Sequence, residues 1–403
     1  MSVDASRGPL AGLRVFDLTR VLAGPTCTQI LGDLGADVVK VERPGAGDDS
    51  RAFAPPFVPG TADGAYFAGL NRNKRSITLN LASEEGQALA RRLVRRCDIL
   101  VENFKVGALS RYGLGFNELH ATQPELIYCS ITGFGQTGPY APLPGYDSLI
   151  QAMGGMMSLT GEPGGLPHKT GIPVTDLFAG LYACIGILAA LRHRQQTGLG
   201  QHVDIAMLDT AVASLANQGM TYLATGRNPD RLGNEHPTVV PYQVFGTADG
   251  HMVLSIANDA TFDRFCKGFG LSHLMEDSRF VTNSARVENR AAVTAALSPV
   301  LVGQPTAWWL EQLAALNIGG SPINTLDQVF ADPQVRARDM VVEIPRASGG
   351  TVQVLGHPVR MSAGGATYRL EPPALGEHTD AVLVEILGMG EGEVSELRAR
   401  RVI

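Results

Sequence analysis

The sequence predicts an α/β protein, on three observations near its start. Arg14–Leu18 is a short apolar run that ends at a Gly-Pro turn, a periodic segment follows over Pro25–Leu34, and a second β-rich run covers Val38–Val41. A strand, a helix and a strand in this order imply a right-handed parallel crossover, and Pro25 suits the first turn of the helix. The first unit is therefore predicted to be Rossmann-like.

The same alternation continues through the first half of the chain. The patterns predict helices at about Glu84–Arg96, Val106–Leu119, Asp176–Gln196 and Leu208–Ala224, and strands at Asp98–Val101, Leu126–Ile131 and His202–Met207. The first strand is followed by Arg20–Pro25 and not by G-x-G-x-x-G, which disfavours a nicotinamide-dependent dehydrogenase.

A polar, turn-rich segment from Thr225 to Pro241 indicates a linker. Beyond it, Tyr242–Phe245 and Met252–Ser255 are joined across Asp249-Gly250, which predicts a hairpin, and helical patterns with little sheet follow. We therefore predict a smaller α+β domain, with its linker, over residues 226–330.

Strand patterns return over Met340–Arg360 and precede a predicted helix at Thr379–Leu387. A chain of 403 residues exceeds the size at which one hydrophobic core usually stops growing. We therefore assign residues 1–225 to a large Rossmann-like domain and residues 331–403 to a separate last segment.

The composition, with 44% hydrophobic and 18% charged residues, is typical of a globular chain. The net charge of −6 argues against a general nucleic-acid or acidic membrane surface, because those partners attract clustered positive charge. The basic group at Arg72, Lys74 and Arg75 could help to bind a phosphate-bearing ligand. The group from Arg91 to Arg96 recurs at one-turn spacing and indicates a solvated helix face.

Cysteine usage and hydropathy indicate a cytoplasmic protein with no membrane partner. The five cysteines are widely spread and lack a C-x-x-C spacing, which predicts buried free thiols: Cys27, Cys97, Cys129, Cys184 and Cys266. The start of the chain has no apolar leader segment. The longest apolar run has 15 residues, fewer than the roughly 20 that a bilayer span needs.

Asp176 stands at the head of this apolar run, Leu177–Leu191. A carboxylate at the start of a buried helix experiences the positive end of the helix dipole and stays ionised, so it can act as a nucleophile. On this segment alone a simpler interpretation is preferred, because aspartate is a common N-cap residue.

Short motifs occur in order along nearly the whole chain. They are Leu13–Pro25, Asp33–Arg43, Gly47–Arg51, Asn73–Ser76, Glu102–Phe104, Gly133–Pro139, Gly145–Asp147, the Asp176 segment, Pro241–Phe245, Asp277–Phe280 and Leu375–Thr379. Together they resemble the family III CoA-transferases, a group that includes formyl-CoA transferase, carnitine CoA-transferase and alpha-methylacyl-CoA racemase. The resemblance implies that residues 331–403 return to the large domain and that two chains interlock as a homodimer.

By the same resemblance, Asp176 is the nucleophile that attacks the thioester carbonyl of an acyl-CoA. The acyl group would form a mixed anhydride on this carboxylate, and an aspartyl-CoA thioester would follow. Holding the acyl group on the enzyme divides one difficult exchange into easier steps. Water must be excluded because an anhydride hydrolyses readily, and the apolar residues beside Asp176 suit that need.

The tetrahedral intermediates need donors for an oxyanion, and backbone N–H groups near a helix start can supply them. The candidates are the amides around Val21, Leu22 and Ala23, and those of Gly154-Gly155. For Gly154-Gly155, an ordinary tight turn without a catalytic role is an equally good interpretation. In formyl-CoA transferases the position that matches Leu22 is a glutamine, so oxalate and formyl-CoA are not expected as substrates here.

Tyr146 distinguishes two reactions within the family. In the racemases the matching residue is a histidine that moves the α-proton of the acyl chain, a task for a base that titrates near neutrality. A tyrosine is poorly suited to this task, so transfer is preferred over the alternative, a 2-methylacyl-CoA racemase or epimerase. A packing role for Tyr146 competes with a catalytic one, and the neighbouring Asp147 matches an acidic residue near the family's active site.

CoA is expected as a substrate and not as a permanently bound cofactor. The resemblance places these residues along its channel: Val21, Leu22, Ala23, Arg43, Leu79, Asn103, Phe104 and Arg111. Among them, Arg43 and Arg111 would face the phosphates, because a planar guanidinium matches phosphate oxygens well. Without the resemblance, each would be taken as a surface ion-pair residue.

The motif combination is most similar to family members that use succinyl-CoA and dicarboxylates such as glutarate. A dicarboxylate leaves a second carboxyl group to neutralise, and Arg20 and Arg51 are the candidates, with a structural ion pair expected for at least one of them. The nine histidines are scattered, so no metal site is expected. A CoA-binding scaffold without activity is the third hypothesis, since a fold alone does not guarantee catalysis.

Overall fold

A central six-stranded sheet organises the protein, whose computed structural model describes residues 8–403. Its strands are β1 Arg14–Asp17, β2 Asp37–Glu42, β3 Lys74–Thr78, β4 Ile99–Glu102, β5 Ile127–Thr132 and β6 His202–Ala206. All five neighbouring pairs are parallel, in the order β3-β2-β1-β4-β5-β6. This is the strand order of doubly wound dinucleotide-binding sheets, so the α/β prediction is confirmed.

Helices lie on both faces of this sheet. The first nine are α1 Ala23–Asp33, α2 Ala65–Ala68, α3 Glu84–Val94, α4 Phe116–His120, α5 Asp147–Met153, α6 Met156–Leu159, α7 Val174–Thr197, α8 Met207–Ala213 and α9 Ala216–Thr225. Short 3₁₀ turns cover Asp49–Ala52, Leu109–Tyr112 and Ser272–Glu276.

The second half contains three more strands in one sheet, then a separate hairpin. The strands are β7 Tyr242–Gly246, β8 His251–Ser255, β9 Gly319–Pro322, β10 Val341–Pro345 and β11 Thr351–Leu355. The helices are α10 Asp259–Gly268, α11 Asn283–Glu288, α12 Arg290–Leu301, α13 Thr306–Ala315, α14 Leu326–Ala331, α15 Pro333–Ala337, α16 Thr379–Leu387 and α17 Glu391–Ala399.

Buried strand residues explain why the sheet is covered on both faces. Val15 and Phe16 of β1 have no exposed surface, although they point to opposite sides. Phe16 belongs to a core that includes residues of α3, α16 and α17, and Val15 to a core that includes residues of α1 and α7. The last helices of the chain therefore complete the large sheet domain.

The chain forms two compact units. One contains residues up to Met156, Lys169–Ala224 and Ala337–Ile403, and the other contains Met157–His168 and Thr225–Arg336. The sequence-based boundaries at 225 and 330 lie close to these. The segment 157–168 was assigned to the large domain but lies in the second unit, because Gly161 O accepts a hydrogen bond from Gly233 N at 3.1 Å.

Several elements differ from the sequence-based expectation for local physical reasons. The helix predicted over Leu208–Ala224 is divided into α8 and α9, because Ala216 adopts a positive φ of 47°. Strand β3 was not predicted, since it begins with two cations. In the structure Lys74 pairs with Asp17, and Arg75 pairs with Asp37.

The five cysteines and part of helix α7 are buried inside the protein. The five cysteines are free and buried, as predicted. Helix α7 is the one described helix that is long and apolar enough for a membrane span by length and composition. Ala179, Ala183 and Ile187 on this helix are fully buried in the core with α1, as in the central helix of a folded domain.

Candidate active site

Two cavities lie at the carboxyl ends of the parallel strands. The Asp176 cavity, of about 430 Å³, is lined by residues that follow β1, β2, β4, β5 and β6, together with Asp176. The Arg43 cavity, of about 440 Å³, is lined by residues that follow β1, β2, β3 and β4. Arg20 and Phe104 line both cavities. Ligands of doubly wound sheets bind at this edge, where the strand order reverses between β1 and β4.

Asp176 is the third residue of α7, whose N-cap position is occupied by Pro173. The interpretation of Asp176 as a simple N-cap is therefore wrong. Its carboxyl group lines the Asp176 cavity, and burial together with the nearby charge of Asp147 raises its pKa to about 7. Desolvation and a like charge therefore oppose the ionisation that the start of the helix is expected to favour.

Asp147 anchors the start of α7 from a neighbouring helix. Its carboxylate accepts hydrogen bonds from Thr175 N at 2.9 Å and from Thr175 Oγ1 at 2.8 Å. Gln151 Nε2 donates to the same carboxylate at 2.7 Å. Because the N–H groups of a first helical turn have no partner within the helix, Asp147 fixes the residue next to Asp176.

A close contact between α1 and α7 brings Asp176 to the start of α1. Gly180 follows Asp176 by four residues, so both lie on the same face of α7. A Cβ atom at Gly180 would lie 2.6 Å from Ala23 O, which shows that only glycine permits this approach. Ala23 and Leu22 are each only 5% exposed and line the Asp176 cavity.

The turn before α1 contains three backbone N–H groups without an acceptor. Leu22 N, Ala23 N and Gly24 N have no hydrogen-bond acceptor among the residues that the structure describes. The alternative pair, Gly154 and Gly155, lines neither cavity. A Cβ at Gly154 would be 2.9 Å from Ala211 Cβ, so this glycine serves the packing of α5 against α8.

The expected CoA contacts divide between the two cavities. Val21, Leu22, Ala23 and Asn103 line the Asp176 cavity, Arg43 and Leu79 line the Arg43 cavity, and Phe104 lines both. Arg111 lines neither cavity and is exposed on a 3₁₀ turn. The structure therefore brings together all of the expected CoA contacts except Arg111.

Arg51 is not available to a substrate carboxylate. Its side chain is 8% exposed and pairs with Glu42 at 2.7 Å and Asp63 at 2.8 Å. Its guanidinium also donates to Pro373 O and lies 3.6 Å from the centre of the Phe67 ring. Every part of the guanidinium is engaged, so the assignment of Arg51 as a carboxylate ligand is wrong.

Arg20 remains free to meet an anion. Its side chain is 37% exposed, its contact with Asp49 is long at 3.5 Å, and its buried Nε has no acceptor among the described residues. The guanidinium lies 5.0 Å from the centre of the Phe104 ring. Arg20 therefore lines both cavities with a partly exposed and weakly paired guanidinium.

Sequence reasoning missed several residues of the site. Lys105 lines the Asp176 cavity, and Tyr112 and Arg401 line the Arg43 cavity. Burial and the charges of Asp176, Asp147 and Asp48 raise the pKa of Tyr66 to about 12, which places its phenol near these carboxylates. Lys105 directly follows the matched Glu102–Phe104 motif, which was the available signal. Nothing local marks Arg401, which is more than 300 residues from Leu79.

Tyr146 lines the Asp176 cavity and is 66% exposed. Among the described residues that line this cavity there is no histidine. Within residues 8–403, no group of three or more His, Cys, Asp or Glu side chains is arranged to hold a metal ion. Asp176 shares this cavity with Tyr146 and with Leu22 and Ala23, whose N–H groups have no acceptor among the described residues.

Comparison with known proteins identifies the family of this chain. The model of CoA-transferase family III matches residues 10–379. A succinate–glutarate CoA-transferase of Agrobacterium fabrum is 47% identical over 383 residues, covering 94% of this chain and 96% of the relative. The human succinyl-CoA:glutarate CoA-transferase is 41% identical, covering 98% of this chain and 90% of the relative.

A solved structure extends the comparison to the fold. The crystal structure of a CaiB/BaiF family protein from Brucella suis matches with a TM-score of 0.85 and 48% identity, covering 94% of this chain and all of that chain. The chain therefore belongs to CoA-transferase family III. It is a CoA-transferase, an enzyme whose substrates are CoA thioesters.

The contact at Gly180 yields a first prediction. Gly180→Ala should separate α7 from α1, lowering stability by roughly 1–3 kcal/mol, as overpacking does. It should also lower kcat, because Asp176 moves away from the donors at Ala23. Thermal unfolding and steady-state rates measure the two effects.

The matched control is Gly392→Ala, a helical glycine of α17 whose added Cβ would meet nothing within 4 Å. This variant should keep its rate and its stability. An unchanged kcat in Gly180→Ala would show that the approach of the two helices does not set the reaction geometry.

Proposed function

We propose that this CoA-transferase moves CoA from succinyl-CoA to a dicarboxylic acid such as glutarate, through covalent intermediates on Asp176. The printed names of the Agrobacterium and human relatives support the substrate class. The observation that carries the chemistry is a partly buried carboxylate in a cavity at the sheet edge. Among the described residues no cation is paired with it, and the same cavity is lined by Leu22 and Ala23, whose N–H groups are unused.

The first half of the reaction releases the donor acid. The Asp176 carboxylate attacks the thioester carbonyl, the C–S bond breaks, and CoA leaves as a thiolate from a mixed anhydride. The thiolate then attacks the aspartyl carbonyl, the anhydride C–O bond breaks, and succinate leaves. Asp176 now carries CoA as a thioester, and no proton has been needed.

The second half runs the same steps with the acceptor. The acceptor carboxylate attacks the aspartyl thioester and displaces the CoA thiolate, which forms a new anhydride. The thiolate attacks the acceptor's carbonyl, and the Asp176 carboxylate leaves as the new acyl-CoA is completed. Each step passes through a tetrahedral oxyanion, which preorganised donors stabilise.

The protein's own residues serve these steps in distinct ways. Asp147 fixes the helix start that carries Asp176, and it disfavours the anion by its own charge. The apolar Leu22, Ala23 and Met207 in the cavity wall limit the access of water to the anhydride. The N–H groups of Leu22 and Ala23 provide donors on the same wall.

Arg20 is proposed to bind the distal carboxylate of the dicarboxylic acid. Its partly exposed side chain and its weak contact with Asp49 leave the guanidinium able to form a charge-assisted interaction. Lys105 is the other exposed cation of the Asp176 cavity. Racemisation is not supported by a specific observation, because no histidine base lines the cavity.

Association of two copies stays a prediction from the family resemblance. It has support from helix α7, which exposes Leu181, Tyr182, Ile185 and Leu188 at 37–60% of their surface. An interlocked homodimer would cover such an apolar face.

The transfer itself is tested with purified protein, succinyl-CoA and a panel of mono- and dicarboxylic acids, with acyl-CoA products identified by mass spectrometry. We expect glutaryl-CoA or another dicarboxyl-CoA, and a CoA adduct on Asp176 in the intact protein. Asp176→Asn should lower kcat by a factor on the order of 10⁴ or more, because the nucleophile is lost.

The matched control is Asp209→Asn, since Asp209 is an exposed aspartate at the same third position of α8. It should retain activity. Transfer at the normal rate by Asp176→Asn would refute the assigned nucleophile, and loss of an α-deuterium from a 2-methylacyl-CoA without an acceptor acid would favour racemisation.

The raised pKa of Asp176 predicts opposite pH effects on rate and stability. The rate needs the carboxylate, so kcat/KM should fall as the pH drops below about 7. The pKa is higher in the folded state than its ordinary value of 3.8, so ionisation costs stability. This cost is absent below about pH 4, grows as the pH rises towards 7, and is complete above 7.

Asp176→Asn removes this cost and should unfold at a higher temperature than the parent protein at pH 8, with a smaller gain at pH 5. The gain corresponds to at most roughly 4 kcal/mol at about 1.4 kcal/mol per pKa unit. Asp209→Asn should show no such trend in calorimetry across the same pH range. A gain that is equal at both pH values would contradict the proposed environment of Asp176.

The role of Arg20 is tested by substrate selectivity. In Arg20→Gln, kcat/KM for glutarate should fall by roughly tenfold to a hundredfold, since a hydrogen bond to a charged group contributes about 1.5–3 kcal/mol. The rate with valerate, which lacks the distal carboxylate, should change little. Arg92→Gln, at an exposed position of α3, controls for the loss of one positive charge. An equal fall for both acids would instead place Arg20 on CoA.

A further inference from the structure

Val21 holds an unusual backbone conformation between strand β1 and helix α1. Its φ is 69°, in the left-handed region that favours glycine. A β-branched residue there is a genuine outlier, and such strain persists only where surrounding structure enforces it. Backbone strain of this kind clusters at functional sites, so its cause in this chain is informative.

The enforcing contact is a fully buried ion pair. Asp48 and Lys40 have no exposed side-chain surface and lie 2.9 Å apart. The Asp48 carboxylate accepts the Val21 N–H at 3.1 Å, and Lys40 Nζ donates to Thr19 O at 2.9 Å. The same pair thus holds the backbone on both sides of Arg20.

A second buried ion pair contacts the residues on either side of the turn. Lys74 and Asp17, also without exposed side-chain surface, lie 3.2 Å apart. Lys74 Nζ donates to Pro25 O at 3.1 Å, and Asp17 accepts from Thr19 N at 2.9 Å. The two pairs together contact the turn at Thr19, Val21 and Pro25.

Asn103, in the loop after β4, forms two hydrogen bonds with the backbone of Arg20. Its side-chain oxygen accepts from Arg20 N at 3.0 Å, and its amide nitrogen donates to Arg20 O at 2.8 Å. Both polar groups of the Arg20 backbone are therefore used. By contrast, the next three N–H groups, from Leu22 to Gly24, have no acceptor among the described residues.

We propose that the strained backbone of Val21, held by the buried Asp48–Lys40 pair, positions the N–H groups of Leu22 and Ala23 for the oxyanions formed at Asp176. Val21 and Asp48 are positioning residues, because they act through these N–H groups. The inference rests on the proposed function, since it requires acyl transfer to Asp176. It adds that the buried charges beneath the turn set the rate of that transfer.

The test compares Val21→Gly with Val21→Ala. Both variants lose the valine side chain and its contact in the Asp176 cavity, so both should show a similar rise in KM for succinyl-CoA. Alanine keeps the conformational restriction, whereas glycine releases it. Val21→Gly should therefore have a kcat roughly tenfold to a hundredfold below that of Val21→Ala, as when oxyanion donors are misplaced.

Stability should change in the opposite direction. Glycine tolerates a positive φ, so Val21→Gly should unfold at a temperature no lower than Val21→Ala. The control is Asn317→Gly, an exposed residue with φ 53° in the second unit, which should keep its kcat.

The possible outcomes separate this inference from the proposed function. A kcat of Val21→Gly well below that of Val21→Ala, without loss of stability, supports the positioning role. Equal kcat values in the two variants, or a lower unfolding temperature for Val21→Gly than for Val21→Ala, would overturn it while leaving the transferase activity intact. Absence of CoA transfer in the parent protein would instead refute the proposed function, whatever the variants show.

Discussion

The site depends on how closely helix α7 approaches the start of helix α1. At the crossing point, Gly180 leaves no room for even one additional carbon atom before Ala23 O. Asp176 lies one turn earlier on the same face of α7, so the separation of the two helices also sets the distance from the carboxyl group to the turn before α1. Because of this contact, the Asp176 carboxyl group and the backbone of Leu22 and Ala23 line the same cavity.

Two carboxyl groups near that turn, those of Asp48 and Asp176, have pKa values shifted in opposite directions. Beneath it, burial alone would raise the pKa of Asp48, but the charge and hydrogen bond of Lys40 lower it to about 2. Asp176 is partly buried, the charge of Asp147 is the one that acts on it among the described residues, and its pKa rises to about 7. A buried carboxylate with a cation is a fixed structural anion, whereas one beside another carboxylate stays reactive.

The sequence predicted the parts of the fold that depend on local pattern. The apolar runs of β1 and β2, the long helix at Asp176 and the hairpin at Asp249-Gly250 are all present. Strand β3 escaped prediction because Lys74 and Arg75 find their anions on strands β1 and β2, which only the folded sheet brings near. The break at Ala216 likewise has no local signal, since alanine is a good helix former.

The candidate site was predicted only where short motifs mark its residues. Motifs identified Asp176, Ala23 and Asn103, because each lies in a short matched segment. The motifs did not predict which arginine forms ion pairs inside the protein. Arg20 and Arg51 are equally polar in sequence, but Arg51 meets Glu42 and Asp63 inside the protein, while Arg20 does not find a close partner. Partners that are distant in sequence decide which charges are left for a substrate.

In the proposed mechanism, the unfavourable environment of Asp176 would let one carboxylate serve in both directions of the exchange. In water a carboxylate is a weak nucleophile, but burial beside Asp147 raises the energy of the free anion and therefore favours its acylation. The acylated side chain carries no charge, so the same burial does not penalise the anhydride or the thioester. The anchored Thr175 and the contact at Gly180 hold the residue in place despite this cost. On this proposal, the same unfavourable environment that lowers the stability of the folded chain would raise the reactivity of the Asp176 carboxylate.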